Sequence, residues 1–152
     1  PALTSGDMMD GNNISKSRKC EMLEISSEKN NPNSKQIDDK LFNLFNNYLK
    51  DYISRYKHLT IENDSGYSLL RYNPGGEYIE HVDHGTTNNR TLTAILGLND
   101  EYEGGELHFW GGRYKIKVGA GSIIFFPSAF IYPHRVCPVE SGIRYSIVTW
   151  FV

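Results

Sequence analysis

The chain has 152 residues, 39% of them hydrophobic and 12% aromatic, enough for one buried core and far from the composition of a disordered chain. Its Lys and Arg against Asp and Glu divide evenly, nine and ten over residues 1–66 and seven and eight over 67–152, so no basic patch argues for a nucleic-acid partner. No apolar run approaches the roughly 20 residues that cross a bilayer, Pro1-Ala2-Leu3-Thr4 shows no leader features, and Cys20 and Cys137 cannot build a disulfide scaffold, so a reduced, cytoplasmic setting without a membrane partner is expected.

Residues 1–36 are rich in Asn, Ser, Lys and Asp. Gly11-Asn12-Asn13 and Asn30-Asn31-Pro32-Asn33 read as breakers, and Lys19–Ile25 as one short strand. From Asp38 to Tyr56 the period changes. Ile37, Leu41, Leu44, Phe45, Tyr48, Leu49 and Tyr52 fall at spacings of three and four, which predicts an amphipathic helix of about five turns capped by Ser34 or Asp38. Its expected role is packing.

After Gly66 the pattern becomes that of strands. Eight runs rich in β-branched and aromatic residues are separated by Gly, Pro, Asn and Asp: Tyr67–Tyr72, Tyr78–Asp83, Thr91–Leu98, Glu106–Trp110, Tyr114–Val118, Ser122–Phe126, Ala129–Val136 and Arg144–Val152. The chain is therefore expected to be α+β and mostly β, one domain over 1–152. Residues 1–66 would support a jelly-roll or barrel core at 67–152, with the helix on the outer face of one sheet.

The chemistry concentrates in the strand-rich half. In His81-Val82-Asp83, strand parity turns an imidazole and a carboxylate toward the same space. A third histidine from another strand would complete two histidines and a carboxylate on one face of a metal, the arrangement suited to non-haem Fe(II). His134, near the C-terminus, is the preferred third ligand; His108, His84 and His58 rank below it. Ten residues after His134, Arg144 opens a run in which Ser146, Val148 and Trp150 share its face. A buried arginine needs an anion. That anion would be either the carboxylate of a bound cosubstrate or a glutamate such as Glu106 or Glu140.

His81-Val82-Asp83, Gly104-Gly105-Glu106-Leu107, Phe126-Pro127-Ser128, His134-Arg135-Val136-Cys137-Pro138-Val139 and Gly142-Ile143-Arg144 occur in that order. Together they resemble the prolyl 4-hydroxylase-like Fe(II)/2-oxoglutarate dioxygenases, over Tyr67 to Val152. The resemblance implies a double-stranded β-helix with His81, Asp83 and His134 as iron ligands and Arg144 on the distal carboxylate of 2-oxoglutarate. It also implies cosubstrate roles for Tyr72 and Thr93. The implied reaction consumes O2 and 2-oxoglutarate, with ascorbate as a candidate accessory cofactor, and hydroxylates a proline in a peptide or protein. Tyr78, Arg90 and Trp150 are the candidate substrate contacts at the barrel mouth. Two rival readings are a cupin-like metalloprotein without 2-oxoglutarate, suggested by Gly121–Pro127 followed by His134, and a jelly-roll binding module without catalysis.

Overall fold

The computed structural model describes residues 17–27 and 31–152, preceded by the backbone of three two-residue strand segments. In chain order the elements are β1 (Thr4–Ser5), β2 (Met9–Asp10), β3 (Asn13–Ile14), β4 (Arg18–Lys19), β5 (Glu21–Glu24) and α1 (Pro32–Arg55). They continue with β6 (Ser68–Tyr72), β7 (Glu77–His81), β8 (Leu92–Gly97), β9 (Tyr102–Gly104), β10 (Leu107–Phe109) and β11 (Tyr114–Ile116). The last are β12 (Ile123–Pro127), β13 (His134–Val136), β14 (Val139–Gly142) and β15 (Arg144–Phe151). The strands form a six-stranded sheet, β1-β5-β6-β15-β8-β12, a five-stranded sheet, β11-β10-β13-β7-β4, and two two-stranded sheets, β14-β9 and β2-β3, with antiparallel pairing between their strands.

The six-stranded sheet is covered on both faces, so its central strands are nearly continuous apolar runs. On β15, Ile147 and Phe151 join Leu92, Ala94 and Leu96 of β8 in one apolar cluster with Leu41, Phe45 and Leu49 of α1. The opposite parity, Val148 and Trp150 with Leu70, Tyr72 and Ile95, packs against Leu107, Phe109 and Val136 of the five-stranded sheet. One sheet thus carries the helix on its outer face and the second sheet on its inner face. The functional side chains lie between the two sheets.

The helix departs from its expected bounds. It begins six residues before Asp38, because Asn31 caps it: the Asn31 side chain accepts from the backbone N–H of Asn33 at 3.1 Å, and Pro32 fills the first turn, where a missing N–H costs nothing. The Asn-Pro run read as a breaker is therefore a helix start. Leu41, Phe45 and Leu49 are buried along one stripe, whereas Ile37 and Tyr48 face solvent.

All eight expected strand runs contain a strand. The run Ala129–Val136 holds one only at its end, since residues 129–133 turn, with Tyr132 N–H donating to the Ala129 carbonyl at 2.9 Å. The expected strand Lys19–Ile25 divides at Cys20. Arg18–Lys19 pairs with β7 in the smaller sheet and Glu21–Glu24 with β6 in the larger. The chain turns a corner between sheets there, and this brings Arg18 to the interior. The β9–β14 pair was not expected, its sequences being short and polar. No helix among the described residues is long and apolar enough to cross a membrane.

Candidate metal centre and cosubstrate cavity

His134 opens β13 and pairs directly with His81, the last residue of β7. The two rings lie 4.3 Å apart between centroids. Asp83 follows the strand end, and Val82 between them points to solvent, as strand parity requires. One donor atom from each of His81, Asp83 and His134 lies within 4.8 Å of the other two. His81 Nε2 stands 3.5 Å from Asp83 Oδ1, and His134 Nε2 3.4 Å from Asp83 Oδ2.

The backbone sets the tautomers. His81 Nδ1 faces the Ile79 carbonyl at 2.8 Å, and His134 Nδ1 faces the Tyr132 carbonyl at 3.0 Å. A carbonyl only accepts, so each Nδ1 carries a proton and each Nε2 is left facing the carboxylate. Burial lowers the proton affinity of His134; the Asp83 charge opposes this, and His81 adds to it. Burial alone would push the Asp83 carboxyl up. The hydrogen bond with His81, the charges of His134 and His81 and the Thr93 hydroxyl together outweigh it and hold Asp83 well below the usual carboxylate range. Two imidazole Nε2 atoms and a carboxylate thus converge on one space. A divalent cation satisfies all three, and the N2O donor set on one face fits Fe(II).

Thr93 also reaches this centre. Its hydroxyl donates to Asp83 Oδ2 at 2.7 Å and shares a 2.8 Å hydrogen bond with Ser128 Oγ. It lines the cavity but is committed to orienting the carboxylate, as groups behind metal ligands commonly are.

From the three ligands a cavity runs inward to Tyr72, Ser146 and Arg144, over a floor of Leu70, Ile95, Val136 and Val148. Arg144 is 2% exposed. Its Nη1 donates to Ser146 Oγ at 3.1 Å, and its guanidinium lies 5.1 Å from the ring of Tyr72, its cross-strand partner. Neither Glu106 nor Glu140 pairs with it, and no carboxylate among the described residues does. Gly105, at φ +67°, makes room, since a Cβ there would stand 3.0 Å from Arg144 Cδ. Burial pushes the Tyr72 phenol up to about 12, against the pull of Arg18 and Arg144, so it stays a hydrogen-bond donor at neutral pH.

At the mouth, Tyr78 stacks on His81 with centroids 3.6 Å apart. The Arg90 guanidinium sits 3.6 Å above the Trp150 ring, and Trp150 Nε1 is buried without a partner. Tyr78 and Trp150 line the same cavity as the metal ligands, with Arg90 over its tryptophan wall. His84 instead holds the adjoining loop, its Nδ1 2.9 Å from the Arg90 carbonyl. His108 points to the opposite face of β10 from Leu107 and Phe109.

Sequence reasoning missed Arg18. It is 4% exposed, lines the cavity, donates from Nε to Cys20 Sγ at 3.1 Å and lies 5.2 Å from the Tyr78 ring. It sits in the Asn- and Lys-rich segment, 63 positions before His81, where no local pattern separates it from a solvated arginine.

The sequence profile described as the 2OG-Fe(II) oxygenase superfamily matches residues 67–152. A PKHD-type hydroxylase of Synechococcus elongatus is 38% identical over 96 residues, which cover 55% of this chain and 42% of that protein. One of Acaryochloris marina is 37% identical over 100 residues, 60% of this chain and 45% of its own. The chain spans less than half the length of these relatives. Among solved structures, a prolyl hydroxylase from Trichoplax adhaerens, in complex with a hypoxia inducible factor peptide fragment, superposes with a TM-score of 0.81 at 20% identity, over 98% of this chain and 70% of its own. A Pseudomonas putida prolyl-4-hydroxylase gives 0.72 at 24% identity, over 92% and 75%. At these identities the structures speak to the fold.

Proposed function

Because the chain belongs to the 2OG-Fe(II) oxygenase superfamily, we propose that it is a 2-oxoglutarate-dependent dioxygenase that hydroxylates an amino-acid side chain, a peptidyl proline foremost. The observation that carries this reading is one cavity with His81, Asp83 and His134 at one end and an unpaired, buried Arg144 at the other. In this reading 67–152 is the catalytic double-stranded β-helix, and the segment before it supports the core and closes one wall. The P. putida and T. adhaerens proteins, prolyl hydroxylases by name, support the proline assignment.

Bound Fe(II), with 2-oxoglutarate and O2, supplies the oxidising power that converts a C–H bond to C–OH. His81, Asp83 and His134 would hold the metal. Thr93 orients the carboxylate among them. Arg144 takes the distal carboxylate of the cosubstrate in its planar fork, with Ser146 orienting the guanidinium and the Tyr72 hydroxyl adding a neutral donor. The apolar floor excludes water from between these ends, which strengthens the charge-assisted contact. Tyr78, Arg90 and Trp150 frame the mouth where a peptide would lie. A cupin-type centre has no use for a buried cation aimed into its cavity, so Arg144 favours the oxygenase. Incubating the protein with Fe(II), 2-oxoglutarate, ascorbate and proline-containing peptides tests the assignment. A mass gain of one oxygen on proline, with matching succinate, supports it; succinate formation stimulated only by other side chains or free amino acids replaces the substrate.

A further inference from the structure

A second cluster of metal-ligating side chains lies on the outer face of the five-stranded sheet, away from the cavity. Glu106 and His108 flank the inward Leu107 on β10 and share the outward face. Across from them, Cys137 follows β13, and its N–H donates to the Glu106 carbonyl at 2.9 Å. That hydrogen bond locks the two backbones in register, and the pairing of His108 with Arg135 fixes the next step. One donor atom from each of Glu106, His108 and Cys137 lies within 4.8 Å of the other two. His108 is 7% exposed, and Cys137 is half-buried as a free thiol. Gly112 leaves room for the imidazole: a Cβ there would stand 3.3 Å from His108 Nδ1.

We propose that Glu106, His108 and Cys137 form a second metal site, for zinc or a similarly thiophilic divalent cation, that Arg135 guards. Donors bound tetrahedrally at about 2.0–2.3 Å stand about 3.3–3.8 Å apart. The present spacing therefore needs a contraction of at most about 1–1.5 Å, within the reach of side-chain rotation at Glu106 and Cys137. A thiolate with an imidazole selects zinc, cobalt or cadmium over magnesium and calcium, unlike the all-N/O set inside the cavity. Cation uptake breaks the Cys137 S–H bond, forms the sulfur–metal bond and releases the proton to solvent; a water completes the tetrahedron.

The competing cation is already in place. Arg135 Nη2 stands 3.3 Å from His108 Nδ1, and Lys115 is the other cross-strand neighbour of His108. Arg135 is exposed and can swing away, so metal entry exchanges one positive group for another. The bound metal would clamp β10 to β13, the strand that carries His134 on its opposite face.

Cobalt(II) reports the two sites separately, because only a cysteine ligand gives an intense near-ultraviolet thiolate-to-cobalt charge-transfer band. Titrating the full chain should produce that band. Cys137→Ser should abolish it, and Cys20→Ser should leave it unchanged. Zinc should bleach it, and Arg135→Gln should tighten cobalt binding at this site about fivefold. An Asp83→Ala background should retain the band, which separates this site from the cavity centre and from any failure of the oxygenase reading. Absence of the band in both wild type and Arg135→Gln at excess cobalt, or a band that follows Cys20, overturns the proposal.

Discussion

His81 and His134 face one another across β7 and β13, each with its Nδ1 against a backbone carbonyl and its Nε2 within 3.5 Å of an Asp83 oxygen. The strands thus deliver two oriented Nε2 atoms to one carboxylate. This preorganisation and the unpaired Arg144 define what the site can bind.

Thr93→Val tests how the carboxylate is held. The substitution keeps the shape but removes the hydroxyl shared by Asp83 and Ser128. Metal affinity should fall about 10- to 100-fold, the usual cost of losing a partner behind a ligand. Equilibrium titration with Fe(II) under anaerobic conditions measures it. Wild-type affinity would show that Asp83 needs no such support.

Arg144→Ala should weaken 2-oxoglutarate binding by about thirtyfold to several thousandfold, the equivalent of about 2–5 kcal/mol for a buried charge-assisted contact. Metal affinity should stay near wild type, since Arg144 touches no ligand. Arg144→Lys should fall between, keeping the charge and losing the fork. Unchanged cosubstrate dependence in Arg144→Ala would remove this residue from the binding site.

Metal removal should leave the fold standing. The apolar clusters between the sheets and under the helix include none of the three metal-site residues, so the metal-free protein and His81→Ala should both melt cooperatively. Added metal should raise the midpoint of the wild type by mass action, about 2.7 kcal/mol at a hundredfold excess over Kd. Unfolding of the metal-free chain at room temperature, seen by circular dichroism, would make the centre structural.

Phe45→Ala separates stability from function. Phe45 is fully buried and stacks on Tyr67 with centroids 5.5 Å apart, on the helix side of the larger sheet. Its truncation should cost about 3–5 kcal/mol in denaturant unfolding. Metal affinity of the folded fraction should not change, because no ligand packs against that cluster.

The sequence made the site more legible than its surroundings, for physical reasons. A period of two placed His81 and Asp83 together even though the strand ends at His81 and Asp83 lies in a bend just beyond it. Arg144 stood out because an arginine inside an apolar run must find an anion. Arg18 did not, since its burial follows from a strand that changes sheets at Cys20, a tertiary event with no local pattern. The helix start was hidden because Asn-Pro serves a turn and a cap equally well. The β9–β14 pair was hidden because short polar strands carry no alternation.

The most direct test is an anaerobic titration of Fe(II) and 2-oxoglutarate into the intact chain, followed by visible absorption. The account predicts a weak charge-transfer band that needs both additions, saturates at one equivalent of metal, and is lost in His134→Ala and Asp83→Ala. In Arg144→Ala the same band should require a much higher 2-oxoglutarate concentration. Metal binding without any such band, or a band that survives loss of His134, would contradict it.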